Sequence, residues 1–355
     1  MQNLDIDQYY NGKSVLVTGG AGFVGSNLVH KLCALGAKVT VIDCFHPDYG
    51  GNPYNFEGVQ NKITLHKADI LDEKLMDSLV SQNELVFHAA AQCSHVDSMT
   101  DPWLDLKFNC QGTLTILEAV KKKIKATGKV TPVVYVSTRA VIGAPLQSPA
   151  LETTLPNPVD VYGVNKMAAE YYGAVYARVY QNPYVSVRLT NSYGPRHQMR
   201  HGKYGILNWF ISLALQSKTI KVFGTGEQLR DYLYIDDAVE ALVRSGIFCS
   251  QLQEAKKDHE VVKISGSHIP YAVFNVASGD PLPFVACAKQ VVETTKSGNL
   301  EMVPWPADRK AIETGDFVAD CREVKKLLNW APRTSFKEGL EKTVEFYRKN
   351  LNHYL

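Results

Sequence analysis

Residues 14–32 read SVLVTGGAGFVGSNLVHKL. An apolar run of strand character gives way to a glycine-rich turn, and apolar residues then recur at helical spacing. Gly19, Gly22 and Gly25 stand in a G-x-x-G-x-x-G register. Such a turn lets backbone approach a ligand closely, and the helix after it presents unpaired N–H groups and a positive dipole end to an anion. The stretch therefore predicts a dinucleotide pyrophosphate over Gly19, Gly22, Phe23, Val24 and Gly25. Glycines alone could serve only helix–strand packing, so the neighbouring sequence matters.

The next apolar run, KVTVID (38–43), ends in Asp43. A carboxylate there can accept both hydroxyls of a ribose and repels a 2′-phosphate. Cys44-Phe45-His46 follows, with no arginine to receive that phosphate, so the reading favours NAD over NADP. Further apolar runs lie at 63–69, 85–91, 132–137 and 184–190. Helical patterns separate them in the seventies and over 103–126 and 162–180. Short strands alternating with longer helices imply parallel crossovers. The expected fold is α/β, a Rossmann-type doubly wound parallel sheet with a smaller C-terminal α/β substrate-binding lobe. Residues 1–190 form the first domain, with 232–250 returning to it. Residues 191–231 and 265–355 form the lobe, and the polar, aperiodic segment 250–270 reads as a surface insertion. Asp69 and Ile70 either flank the adenine or, for Asp69, cap the next helix. Ala89, Ala90 and Ala91 give a small-residue wall along which a dinucleotide could lie.

Composition narrows the function. The 355 residues carry a net charge of +2, which gives no electrostatic case for nucleic acid or an anionic membrane. The basic run Lys121–Lys125 closes a helical pattern, where positive charge suits the dipole. No apolar stretch approaches the roughly 20 residues of a membrane span, and no signal core opens the chain. Seven cysteines without a C-x-x-C pair read as reduced thiols, which suggests a cytoplasmic protein. No metal site is predicted.

The stretch VYVSTRAVIG (134–143) ends a strand in Ser137 and Thr138, and DVYGVNKMAAE (160–170) places Tyr162 and Lys166 four apart, on one helix face. A free tyrosine titrates near 10 and is a poor base at neutrality. A nearby ammonium and a positive nicotinamide would stabilise its phenolate.

These motifs occur in a telling order: TGGAGFVG, Asp43, HAAAQ (88–92), Asn109, VSTRAVIG, YGVNK, RLTNSYGPR (188–196), RDYLYIDDAVEA (from Arg230) and LLNWAPRTSFKEGLEKTV (327–344). Together they resemble the extended short-chain dehydrogenase/reductase family, within its nucleotide-sugar epimerases and dehydratases. The resemblance implies a nucleoside-diphosphate sugar as substrate, oxidised at C4 by tightly held NAD. It makes Thr138 the catalytic hydroxyl, Tyr162 the acid–base group and Lys166 a catalytic residue that also holds the nicotinamide ribose. It has Asn109 position the lysine through backbone and water. Asn191, Arg230 and Arg309 take the sugar diphosphate, although the spacing from Arg309 to Gly315-Asp316 departs from that of the simplest epimerases. His88 reads as a packed histidine, and Arg196 as a loop cation or a phosphate neighbour. A homodimer through helices near 103–126 and 162–180 is expected by analogy.

Arg139 and Ala140 restrict the reaction. The family's 4,6-dehydratases carry Asp-Glu at these places, and its decarboxylases carry a glutamate at the second. Elimination needs a base and an acid; these two positions supply neither, so dehydration is disfavoured unless another loop provides them. The expectation is an epimerase, most simply a 4-epimerase of a UDP-hexose or UDP-uronate. Dehydration or decarboxylation from the same 4-keto sugar, and a non-catalytic NAD-binding sensor, stand as alternatives. Arg139 either points inward and pairs with a sugar carboxylate, or points outward as a solvated cation.

Overall fold

The six apolar runs and one further segment form seven parallel strands in a computed structural model that describes residues 5–252 and 269–355. They are β1 (Ser14–Thr18), β2 (Lys38–Asp43), β3 (Ile63–Lys67), β4 (Leu85–His88), β5 (Val133–Thr138), β6 (Tyr184–Leu189) and β7 (Tyr271–Val276). Their order is β7-β6-β5-β4-β1-β2-β3. Strand side chains alternate between faces, so both faces need cover. Val15 and Val17 join one core and Leu16, between them, joins the other.

Helices supply that cover. On one side, α1 (Phe23–Ala34) packs against α5 (Ile235–Gln251), which also meets β5 and β6. On the other, α2 (Glu73–Gln82), α3 (Gly112–Thr127) and α4 (Val161–Tyr180) lie side by side. Local chemistry sets their ends. Asp72 caps α2 through the Leu75 N–H at 3.0 Å, and Asp160 caps α4 through the Gly163 N–H at 2.7 Å. Gly128, at φ 70°, closes α3 in the left-handed conformation. By contrast α1 starts at Gly22 with no side-chain cap, so its first N–H groups stay available.

Two boundaries differ from the sequence reading. Tyr271–Val276, expected in the second lobe, is the seventh strand of the main sheet, paired in parallel with β6 from Tyr271↔Tyr184 onward. It forms the edge of the sheet beyond β6, and helices cover it on both faces, so all six of its residues are buried. Within the expected insertion at 250–270, residues 253–268 lie outside the described residues; the flanking Leu252 and Ile269 are buried. The long pattern at 103–126 is not one regular helix. Pro102–Leu106 is followed by a π turn, Lys107–Gln111, before α3 begins.

The second lobe is assembled from short ladders. Asn191–Tyr193 pairs with Tyr232–Tyr234, Thr219–Phe223 with Asn299–Val303, and Leu229–Arg230 with Leu282–Pro283. An apolar helix at Ile206–Leu215, not anticipated from the sequence, packs on Phe284–Thr295. Among the described residues no helix is long and apolar enough to cross a membrane.

Candidate active site

In a doubly wound sheet, ligands bind where strand order reverses, beyond the carboxyl ends of the strands. Here that point lies between β1 and β4. A cavity of about 500 Å³ runs from the glycine turn to the second lobe. Gly19 (φ 67°) turns the chain, and a Cβ there would sit 2.6 Å from the Ala90 backbone. A Cβ on Gly25 would meet the Gly19 carbonyl. Only glycine permits both approaches. Asp43 ends β2 with its two oxygens accepting from the Ala21 N–H at 2.9 Å and the Phe45 N–H at 2.8 Å. Each oxygen retains acceptor capacity, and the residue lines the cavity. Asp69, Ile70, Ala89, Ala90 and Ala91 line it as well. Asp69 also accepts from the Leu71 N–H at 3.0 Å, while the cap of α2 is Asp72. His88 is packed: it bonds Thr18 at 2.9 Å and Thr113 at 3.0 Å, and burial brings it down to about 3.

Thr138, Tyr162 and Lys166 converge on this cavity from β5 and α4. The Thr138 oxygen accepts from the Ala140 N–H at 3.2 Å. Burial pushes the Tyr162 phenol well above its ordinary range, and nearby Cys93 adds to the rise. A hydrogen bond with Thr138 works the other way. Burial brings Lys166 down to about 8. Its Nζ donates to the Val136 carbonyl at 2.8 Å and sits 4.1 Å from the Tyr135 ring centroid. Positive charge next to the phenol has the largest scope to make it a base.

The other wall belongs to the second lobe. Asn191, Arg230 and Arg309 all line the cavity. Arg230 is buried, ion-pairs with Glu313, and donates to the Gly315 carbonyl at 2.6 Å. Arg139 takes the inward direction. Its Nε donates to Asn191 Oδ1 at 2.9 Å and its Nη1 to Thr314 Oγ1 at 3.2 Å, with the guanidinium 5.1 Å from the Phe317 ring. Burial, and then the charge of Arg230, bring Arg139 down to about 10. Arg196 bonds Asn27 at 2.8 Å and lies off the cavity.

The NAD dependent epimerase/dehydratase family matches residues 15–253. The chain belongs to that family. A UDP-glucose 4-epimerase of Mycolicibacterium smegmatis is 32% identical over 338 residues, covering 94% of this chain and 98% of the relative. The human dTDP-D-glucose 4,6-dehydratase is 30% identical over 350 residues, covering 96% and 92%. The UDP-glucose 4-epimerase of Thermotoga maritima, solved with UDP-glucose, aligns with a TM-score of 0.78 at 31% identity, covering 95% of this chain and 99% of that one.

The residues fit the family's cofactor, NAD. The uncapped start of α1 suits a pyrophosphate, the two glycine approaches leave room for it, and Asp43 offers acceptors to a ribose. One expected member stands elsewhere. Asn109 lies in the π turn behind the wall and is absent from the cavity lining. Its Nδ2 donates to the Gln92 carbonyl and to Asp105, both at 3.1 Å. Its side chain anchors the segment after β4, and the direct hydrogen bond of the lysine is to the Val136 carbonyl.

The sequence reading overlooked several lining residues. Phe223 and Trp305 form an aromatic pair, ring centroids 5.4 Å apart, on the lobe side. His95 sits edge-on to Tyr162 at 5.1 Å and hydrogen-bonds Asp160. Their only sequence signals were an acid two residues before the tyrosine and a polar stretch after Ala91. His197 and His201, four apart, also escaped notice. They lie in a loop, and no third ligand joins them among the described residues.

Proposed function

We propose that this protein is a nucleoside-diphosphate-sugar 4-epimerase working through a transient 4-keto sugar, on a UDP-hexose or UDP-uronate. The observation that carries this is the chemistry beside Thr138. Arg139 and Ala140 follow it, and the acids lining the cavity among the described residues are Asp43, Asp69 and Glu313. The first two end or follow strands at the adenosine end, and Glu313 is tied to Arg230. No carboxylate stands next to the catalytic hydroxyl to drive elimination. Bound NAD supplies a hydride acceptor and donor. Tyr162, as phenolate, takes the 4-hydroxyl proton and later returns it. Thr138 hydrogen-bonds the carbonyl oxygen, and Lys166 holds the nicotinamide ribose. Ala140 is buried and puts no side chain into the cavity where the sugar turns.

Arg230, Arg309 and the amide of Asn191 take the diphosphate in this reading, and Phe223 with Trp305 takes the base. Arg139 speaks for the uronate. Its Nη2 makes no hydrogen bond among the described residues, so part of the fork is available for a carboxylate. Incubation with UDP-, GDP-, CDP- and dTDP-sugars tests the reading. Conserved product mass with altered retention supports epimerisation, and loss of water or carbon dioxide overturns it.

We further read the chain as a cytoplasmic homodimer. Trp103, Val164, Tyr171, Val175 and Val179 expose apolar side chains on the two helical segments where the family analogy places a second copy. Sedimentation at a single-chain mass would refute the dimer.

A further inference from the structure

The cavity holds an acid–base pair that the reaction above leaves unused. His95 opens α-helical residues His95–Thr100 after β4, and Asp160 is the cap of α4, two residues before Tyr162. Their side chains meet with His95 Nδ1 and Asp160 Oδ2 2.6 Å apart. Asp160 is 1% exposed and lies behind the histidine, whose side chain is 36% exposed and lines the cavity. Burial works to raise the Asp160 carboxyl, but the His95 contact and the Gly163 N–H hold it below its usual range, so it stays an acceptor. An ionised acceptor at Nδ1 fixes the hydrogen there. In the neutral ring the Nε2 lone pair is then left as a base. Two other groups of the wall are held differently. The Cys93 thiol is pushed up to about 12 by burial, and His197 is brought down to about 4 by burial, with its Nδ1 against the Gln198 carbonyl.

We propose that His95, oriented by Asp160, is a second acid–base centre that removes and returns a proton on the carbon next to the transient 4-ketone, C3 or C5. The proposal rests on the 4-keto reading. Three observations carry it: the 2.6 Å pair, its edge-on contact with Tyr162, and the exposure of the histidine to the cavity alongside burial of the acid. A ketone acidifies its neighbouring C–H bonds. In the step, that C–H bond breaks, its electron pair moves into the enolate, and the proton goes to Nε2. The Tyr162 phenol, carrying the 4-hydroxyl proton, and Thr138 hydrogen-bond the enolate oxygen. Return of the proton restores the ketone, so the net formula is unchanged. The carboxylate pair that water loss employs in the dehydratases is absent beside Thr138, which leaves exchange or inversion as the outcome.

The test is turnover of UDP-hexoses and UDP-hexuronates in deuterium oxide, with NMR of the recovered sugar. The expected result is deuterium at C3 or C5 of sugars inverted at C4. In His95→Asn the exchange per C4 inversion falls by about a hundredfold, in the range general acid–base groups supply. Asp160→Asn is the control for folding, because asparagine caps a helix as well as aspartate does. It should keep α4 intact and still lower the ratio. C4 inversion with no deuterium at C3 or C5, or a ratio unchanged in both variants, overturns the proposal and leaves the 4-epimerase standing. No reaction at C4 with any of these sugars overturns both.

Discussion

Arg139 donates its Nε hydrogen to the amide oxygen of Asn191 at 2.9 Å. That bond joins the end of β5 to the first residue of the second lobe, and it fixes both partners. With its oxygen committed, Asn191 turns its NH₂ group to the remaining contacts. The guanidinium, anchored also by Thr314, is directed into the cavity close to Arg230. Glu313 already pairs with Arg230, so the positive charge left to bind an anion at this wall is that of Arg139.

Arg139→Ala tests what that anion is. If it is a sugar carboxylate, KM for a UDP-uronate should rise by about tenfold to a hundredfold, the value of hydrogen bonds to a charged group. KM for the neutral hexose should change far less. Equal losses on the two substrates would place the arginine against the diphosphate instead.

Asp43→Ala should weaken NAD by about tenfold or more, since it removes charge-assisted acceptors. Loss of its negative charge should also narrow the preference over NADP. Calorimetric titration of both dinucleotides reads the two effects. An unchanged ratio of affinities would show that Asp43 serves only the Ala21 and Phe45 backbone.

Lys166 links pH to stability. Its folded pKa, about 8, lies below the ordinary lysine value near 10.5, so the unfolded chain binds the proton more tightly. The buried charge therefore costs stability below pH 8, and that cost fades as pH climbs from 8 towards 10.5. Lys166→Met should raise Tm of the cofactor-free protein at pH 7, with the gain shrinking across that interval. A gain that grows with pH would reverse the sign and contradict the burial of the ammonium.

Much of this was legible in the residues. The glycine turn, Asp43 and the Tyr162–Lys166 spacing are local patterns whose physics is short-ranged, and they converge as expected. β7 was misplaced because its apolar run follows the polar stretch 253–268, and proximity in sequence hid its pairing with β6. Asn109 stands behind the cavity wall in a π turn, an irregularity that no helical periodicity reveals. The His95–Asp160 pair spans 65 residues, so only the folded chain brings it together. Arg139 had two open directions, and Asn191 and Thr314, which decide between them, come from distant segments.

Tyr162→Phe should lower turnover by about a hundredfold to ten-thousandfold, as removal of a positioned acid–base group does. NAD affinity should stay at the same order of magnitude, measured by titration of the purified variant. Full activity would remove Tyr162 from the proton path.

The most direct measurement uses a UDP-sugar deuterated at C4, incubated with the wild-type protein in ordinary water and followed by mass spectrometry and NMR. The account predicts inversion at C4 with the deuterium kept on that carbon and the mass unchanged, because the hydrogen leaves and returns without meeting solvent. Deuterium lost to water, or a product lighter by water or carbon dioxide, would contradict it.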